Sequence, residues 1–340
     1  MIYPNFLSKG QKIGVTAISD GQSKDVDYIR LDHAAKKLKD YGYLVVETKN
    51  VRTSVKGRSS HARIRANQLH QLFKDREVSV IMAASGGDFL VEALPYIDFD
   101  LIKNNPKWLQ GFSDITGLSF VITTNLDIAT IYSDNFGTFG MDEWHPSLLE
   151  NIKILEGEDI IQESFEKYQD GYFDRVTGLE GFVLNSKTEW RNITNLDEST
   201  EIELNGRALV GCLDILLNLV GTKFDKTKEF IQKYQNDGII WFLESYNLSS
   251  EELIRGLWQL KHAGWFENTN GLVFGRPAMF SSYTDTSYDE AVLSVLGELN
   301  MPIILDADIG HKQPQFTMIN GAIASIYSKD GMGSILFERR

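Results

Sequence analysis

Short apolar runs alternate with helical stripes along the first 140 residues. KIGVTAIS (12–19), LVVET (44–48), VSVIMAAS (78–85) and IATIYS (128–133) have the length and β-branched content of strands. Between them, residues 25–41 carry Ile29, Ala34, Leu38 and Tyr41 at helical spacing, and 61–74 place Ile64, Leu69, Leu72 and Phe73 on one face. A short helix is predicted over 88–95. WLQGFSDITGLSF (108–120) has the outline of a strand, a tight turn and a helix. Strands alternating with helices predict an α/β fold with a mostly parallel N-terminal sheet flanked by helices, flavodoxin/Rossmann-like. In such sheets function collects in loops at the carboxyl ends of strands, where Gly86-Gly87 and Ser113 fall.

The pattern weakens over 140–200, a stretch rich in Glu, Asp, Lys and aromatics. It predicts a helix near 146–168 and then hairpin or loop structure through Trp190, a connector or lid. From about 205 a second alternation begins. ALVGCLDILLNLVG (208–221) is apolar with the length of a helix. GIIWFLES (238–245), GLVFGRP (271–277) and MPIILDADIG (301–310) are strands. SSEELIRGLWQLKHAG (249–264) is a helix opened by Ser249 or Ser250 with Glu252 in its first turn, and AIASIYS and SILFE close the chain. The expected organisation is an N-terminal domain over 1–140, a connector over 141–204, and a mixed α/β, β-rich C-terminal domain over 205–340.

Composition narrows the partners. The 340 residues carry a net charge of −13, which disfavours nucleic acid and anionic membrane surfaces. Cys212 is the one cysteine, so no intrachain disulfide forms, and inside an apolar segment it reads as a core thiol. The N-terminal stretch does not have the basic and long apolar regions of a signal peptide, and no apolar run approaches the ~18 residues of a membrane span, so the cytoplasm is the expected compartment.

Few residues are placed for chemistry. Ser113 half-matches the nucleophile-elbow pattern G-x-S-x-G, with Gly111 present and Ile115 where the second glycine belongs. The competing reading is a polar turn, with Ser113, Asp114 or Thr116 capping the helix. Glu244 ends an otherwise uncharged apolar strand, where a carboxylate is either at a functional rim or in an ion pair with Arg255 or Arg276. His311 follows LDADIG in a glycine-containing loop, as a base or as a surface histidine. The remaining histidines have no metal spacing and no paired cysteines occur, so no metal is expected. Gly86-Gly87 follows a strand as a phosphate cradle would, but no phosphate-loop motif accompanies it.

Several stretches together resemble the LD-carboxypeptidase family of serine peptidases. SGGDFLVEALPYIDFDLIKNNPKWLQGFSDIT (85–116) matches its Gly-Gly turn, L-P-x-x-D, N-P-K and G-[FY]-S-D-x-T. Upstream, Arg65, Leu69, Phe73, Asp75, Val78 and Ile81 fit its R-x-x-x-L…F-x-D-x-x-V-x-x-I pattern. GRALVGCLDILLNLVGT (206–222), IIWFLE (239–244), LIRGLWQLKHAG (253–264) and DIGHKQPQ (308–315) match later blocks in the right order. The resemblance implies a Ser-Glu-His triad of Ser113, Glu244 and His311, with His311 as base and then acid and the site between domains. It implies an oxyanion hole from the backbone N–H groups of Asp114 and Gly87, no cofactor, and a homodimer.

Within the family, two substrate classes stand open. One branch removes terminal D-alanine from murein tetrapeptides. The other, of microcin C immunity type, cleaves the amide that joins a peptidyl residue to a modified nucleotide. Ser85 before the Gly-Gly turn, GCLD at 211–214 and the long connector lean toward the second. There Trp190 would stack on a nucleobase, with packing under the connector as its alternative, and Gly86 would line the substrate. A protein of the same architecture that binds a small ligand without catalysis is the remaining class, and the intact Ser, Glu and His positions argue against it.

Overall fold

The structure is a computed structural model that describes residues 1–194 and 197–340. The chain forms two compact units, residues 1–158 with 172–182, and residues 159–171 with 183–340. The segment expected to be a connector therefore divides between them.

The first unit contains β1 (Lys12–Thr16), α1 (Asp25–Asp40), β2 (Leu44–Glu47), α2 (Ala62–Lys74), β3 (Val78–Ala83), α3 (Phe99–Asn104), β4 (Trp108–Gln110), α4 (Thr116–Leu126), β5 (Thr130–Tyr132) and α5 (Pro146–Leu155). These strands pair in parallel in the order β2-β1-β3-β4-β5. That is the flavodoxin-like order, with its topological switch point between β1 and β3. β1 and β3 bury nearly every residue, as parallel strands covered on both faces must.

Most of the expected helical stripe is buried (Ala34, Leu38, Leu69, Leu72 and Phe73), but Tyr41 at its end is exposed, and near the helix starts it is displaced by one position. Ile29 and Ile64 are exposed, while their neighbours Arg30 and Arg65 are buried with Leu31, Ala34, Leu38, Leu69 and Leu72. Buried guanidiniums need many acceptors, and both have them. Arg30 donates to the carbonyls of Gly137, Gly178 and Glu180, which fastens 172–182 to this unit. The helix expected over 88–95 is instead two 3₁₀ turns, Leu90–Glu92 and Leu94–Tyr96, because Pro95 has no N–H to continue an α-helix. The helix expected over 146–168 stops at Leu155, where Gly157 takes a left-handed conformation (φ +97°).

The second unit contains β6 (Gln162–Glu163), β7 (Lys167–Tyr168), β8 (Ser186–Lys187), β9 (Arg191–Thr194), β10 (Asp197–Glu198), β11 (Glu201–Cys212), α6 (Leu213–Leu219), α7 (Thr227–Lys233), β12 (Ile239–Glu244), α8 (Ser250–His262), β13 (Thr269–Gly275), α9 (Tyr288–Leu296), β14 (Ile303–Ala307), β15 (Met318–Asn320), β16 (Ile323–Lys329) and β17 (Met332–Glu338). Its nine-stranded sheet runs β10-β9-β14-β13-β12-β11-β16-β17-β6. The four central strands β14, β13, β12 and β11 are parallel, and the flanking pairs are antiparallel. The helix expected from 208 begins only at Leu213, because Arg207–Cys212 pairs with Ile239–Glu244 of β12. A continuous apolar run does not distinguish the two states by periodicity. Ser249 is the residue that caps α8, in a capping box with Glu252. A second capping box, Ser287 with Glu290, opens α9.

Candidate active site

In the first unit, the candidate residues centre on the turn between β4 and α4. Ser113 has φ +64°, a conformation that a residue with a side chain adopts only where its surroundings hold it. Gly111 permits the turn, since a Cβ there would lie 2.9 Å from Asn135 Oδ1 and 3.0 Å from Ala83 Cβ. The backbone then enters a 3₁₀ turn, Ser113–Ile115, that leads into α4, so this turn presents N–H groups at a helix start. The Gly86-Gly87 turn after β3 packs against it. A Cβ at Gly86 would sit 3.1 Å from both Cβ and Oγ of Ser113. Gly87 has φ +143°, which favours glycine.

Asp114 is fully buried and does not cap the helix as its sequence position suggested, since neither the 3₁₀ turn nor α4 has a side-chain cap and its carboxylate turns to other loops instead. Its Oδ2 accepts from the Ser19 hydroxyl and from the Leu90 N–H at 2.9 Å. Burial raises its pKa, against the two hydrogen bonds that lower it. Arg65 donates to the carbonyls of Ile18 (3.1 Å), Ser19 (3.3 Å) and Phe89 (3.0 Å) and pairs with Glu92 at 2.8 Å. The loops after β1, β3 and β4 are thus bound to one another.

In the second unit, the candidate side chains gather at the carboxyl ends of the four parallel strands. Glu244 ends β12 with its side chain fully buried, and His311 Nδ1 lies 2.8 Å from its Oε2. With a carboxylate as acceptor, Nδ1–H is the donor, which makes Nε2 the basic nitrogen of the neutral ring. Burial lowers the His311 pKa, but the charge and hydrogen bond of Glu244 outweigh it, so the pKa stands above the usual 6.5. Glycines make room for the carboxylate. A Cβ at Gly310 (φ +91°) would lie 2.5–2.7 Å from Glu244 Cγ, Cδ and Oε2, and one at Gly275 3.1 Å from its Cβ.

Arg276 does not pair with Glu244. It bonds Asp308 Oδ1 at 2.8 Å in a buried ion pair at the root of the His311 loop. Trp190 Nε1–H donates to the other Asp308 oxygen at 3.1 Å, and the Phe316 N–H donates to the Asp308 carbonyl at 2.8 Å, closing the loop. Trp190 is 4% exposed, edge-on to Phe316, and a Cβ at Gly333 would lie 2.1 Å from its ring. An indole so enclosed has no face for a nucleobase, so Trp190 is a packing and loop-anchoring residue. The sequence assigns no role to Tyr246, and Asp214 enters only as part of GCLD. Asp214 accepts the N–H groups of Tyr246 (2.9 Å) and Asn247 (3.0 Å), which sets the turn after β12. The Tyr246 ring lies 4.7 Å from the His311 ring. The signal for Asp214 was a lone carboxylate in the apolar GCLDILL. Cys212 is buried, and burial followed by the nearby Glu244 and Asp214 charges raises its pKa, so it stays a thiol.

Among the described residues no cluster of His, Cys, Asp and Glu is placed to hold a metal ion, and no helix is long and apolar enough to cross a membrane.

Two family models match the chain, the LD-carboxypeptidase N-terminal domain over residues 13–133 and the LD-carboxypeptidase C-terminal domain over 205–326. The chain is 25% identical to a Bacillus subtilis (strain 168) protein named "Probable murein peptide carboxypeptidase", covering 95% of this chain and 91% of that one. It is 26% identical to the Escherichia coli microcin C7 self-immunity protein MccF, covering 79% of this chain and 77% of that one. The crystal structure of an MccF-like protein from Bacillus anthracis str. Ames superposes over all of both chains with a TM-score of 0.81 at 25% identity.

Proposed function

The chain belongs to the LD-carboxypeptidase family, and on that premise we propose that it hydrolyses an amide bond near a carboxyl terminus with Ser113, His311 and Glu244 as a triad. The observation that carries this reading is the buried Glu244–His311 hydrogen bond, which fixes the imidazole tautomer a general base needs. His311 Nε2 takes the proton of the Ser113 hydroxyl as Oγ attacks the carbonyl carbon. The tetrahedral intermediate carries its negative charge toward the N–H groups of Gly87 and Asp114. On collapse, His311 gives the proton to the leaving nitrogen. Water, activated by the same imidazole, then releases the acyl group and restores Ser113. No step calls for a metal or organic cofactor.

For the substrate, the reading is a peptidyl or aminoacyl group joined to a modified nucleotide, as for the immunity-type branch, handled in the cytoplasm by a homodimer. The likeness to MccF and to the MccF-like structure supports it. The enclosed Trp190 removes one of its supports and leaves a murein tetrapeptide as the second reading, backed by the Bacillus subtilis relative. Mass spectrometry of the protein with a murein tetrapeptide and with a peptidyl-aminoacyl nucleotide, beside Ser113→Ala, tests both. Cleavage of only the nucleotide conjugate is expected. Release of D-alanine from the tetrapeptide alone would establish the second reading, and cleavage of neither would overturn the proposal.

A further inference from the structure

Ser19 lies just beyond β1, at the switch point of the first sheet, and is fully buried. Its hydroxyl donates to Asp114 Oδ2, 95 residues away in sequence. The same oxygen lies against the Gly86-Gly87 turn, since a Cβ at Gly87 would lie 2.3 Å from Ser19 Oγ. The next residue continues the contact, with the Asp20 N–H donating to the Gly86 carbonyl at 3.2 Å. Ser19 is itself held by its carbonyl, which accepts the Ser59 N–H at 3.1 Å and Arg65 Nη1 at 3.3 Å.

We propose that Ser19 is a positioning residue that sets the spacing between the N–H groups of Gly87 and Asp114. The inference rests on the reading of those two groups as the oxyanion hole. They belong to turns after different strands, β3 and β4, and no strand pairing beyond Gln110 fixes the two turns against each other. Ser19 touches both turns through one oxygen. A hydroxyl donating to a carboxylate is a strong, directional link, and oxyanion donors lose their effect when displaced by about 0.5 Å. Ser19 is not a second nucleophile, because its hydroxyl is enclosed and its proton is committed to Asp114. Gly87 also has a specific requirement here. Any side chain at that position would meet Ser19 and push the two turns apart.

The test uses a fluorophosphonate, whose phosphorus is attacked by the serine hydroxyl with loss of fluoride. Intact-mass labelling of Ser113 then reports the oxyanion hole whichever amide is the natural substrate. Wild type, Ser113→Ala, Ser19→Ala, Asp114→Asn and the Ser19→Ala/Asp114→Asn double variant are compared for labelling rate, for kcat and KM on the cleaved substrate, and for melting temperature. Ser19→Ala is expected to slow labelling and lower kcat by roughly 10–100-fold with KM within about twofold. The double variant should be no slower than the slower single one, because both act through one link. Asp114→Asn keeps an acceptor for the Ser19 hydroxyl and the Leu90 N–H, so it should retain more activity than Ser19→Ala. It also probes the same link if Ser19→Ala does not fold. Ser19→Ala labelled at the wild-type rate would overturn the positioning role alone. Equal losses in kcat/KM and stability that add in the double variant would make Ser19 merely structural. A wild type not labelled at Ser113 would overturn the triad reading itself, and the role of Ser19 with it.

Discussion

The turn that carries Ser113 and the loop that carries His311 are built on opposite principles. The Ser113 turn is a matter of backbone conformation. It takes a left-handed serine, glycines at 86, 87 and 111, and a buried Asp114 whose partners are a hydroxyl and an N–H. The His311 loop is a matter of charge. It is held by two buried pairs, His311 with Glu244 and Arg276 with Asp308, with Asp214 fixing the neighbouring turn. Under the proposed triad, the difference follows from what each side chain would have to do. A nucleophile needs its position in space, and a rigid turn supplies that. A base needs a particular tautomer and proton affinity, and only a neighbouring charge supplies those.

The largest break in the comparison comes from Ser113. Replacing it by alanine should lower kcat by on the order of 10⁶ with folding unchanged, if nucleophile and base act as a unit. The backbone half of the argument has its own readout in the same position. Ser113→Gly should be as inactive as the alanine variant, yet up to about 1 kcal/mol more stable, because glycine removes the strain of φ +64°. Activity assays and denaturant titrations of the two variants check this. Alanine retaining turnover would dismiss Ser113 as the nucleophile, and glycine no more stable than alanine would dismiss the strain.

Glu244 tests the charge half. Glu244→Gln keeps the shape and removes the charge, and a glutamine can hold the wrong tautomer, so kcat should fall by roughly 10⁴. The pH dependence carries the sign. His311 must be neutral to act as base, so activity rises with pH through its pKa. In the wild type burial lowers that pKa and Glu244 more than restores it, so the half-maximum should lie above pH 6.5. Without the carboxylate, burial is opposed only by the more weakly acting Asp214 charge, and the half-maximum should move to lower pH. A pH–rate profile of kcat/KM for both proteins decides this. A midpoint that stays in place or moves upward would mean that the rising limb belongs to another group.

The same contrast explains what was legible in the sequence. Glu244 and His311 stand out because charged residues at the ends of apolar strands are conspicuous, and the structure brings them within 2.8 Å of each other. Most strands of both sheets were legible because continuous apolar runs separated by helical stripes leave few topologies open, but the end of β11 read as helix, since an apolar run of that length has no period to tell the two apart. Ser19 was invisible, since a serine in TAIS carries no pattern and its role depends on Asp114 and Gly87, which arrive from distant turns. Trp190 stood open between a ligand contact and packing, because its partners Phe316, Gly333 and Asp308 lie far away in sequence, and their enclosure favours packing. Ile29 and Ile64 were placed inside by hydropathy alone. The carbonyls that make it favourable to bury Arg30 and Arg65 instead are contributed by other parts of the chain.

The smallest expected effect tests where the two principles meet. Gly310 is a backbone device that serves a charge. Its left-handed φ of +91° turns the chain toward His311, and its missing side chain leaves room for the Glu244 carboxylate. Gly310→Ala pays twice, in strain at positive φ and in a methyl group that overlaps Glu244, about 1–3 kcal/mol of stability in all. The carboxylate must yield, because Gly310 is fixed between Ile309 and His311, so the Glu244–His311 bond should lengthen as well. The expected signature is a modest loss of melting temperature together with a pH–rate midpoint lower than in the wild type, in the direction of Glu244→Gln but smaller. Loss of stability with an unmoved midpoint would show that the charge pair tolerates displacement. The His311 loop would then be held by Arg276 and Asp308 rather than by the fit of its glycine.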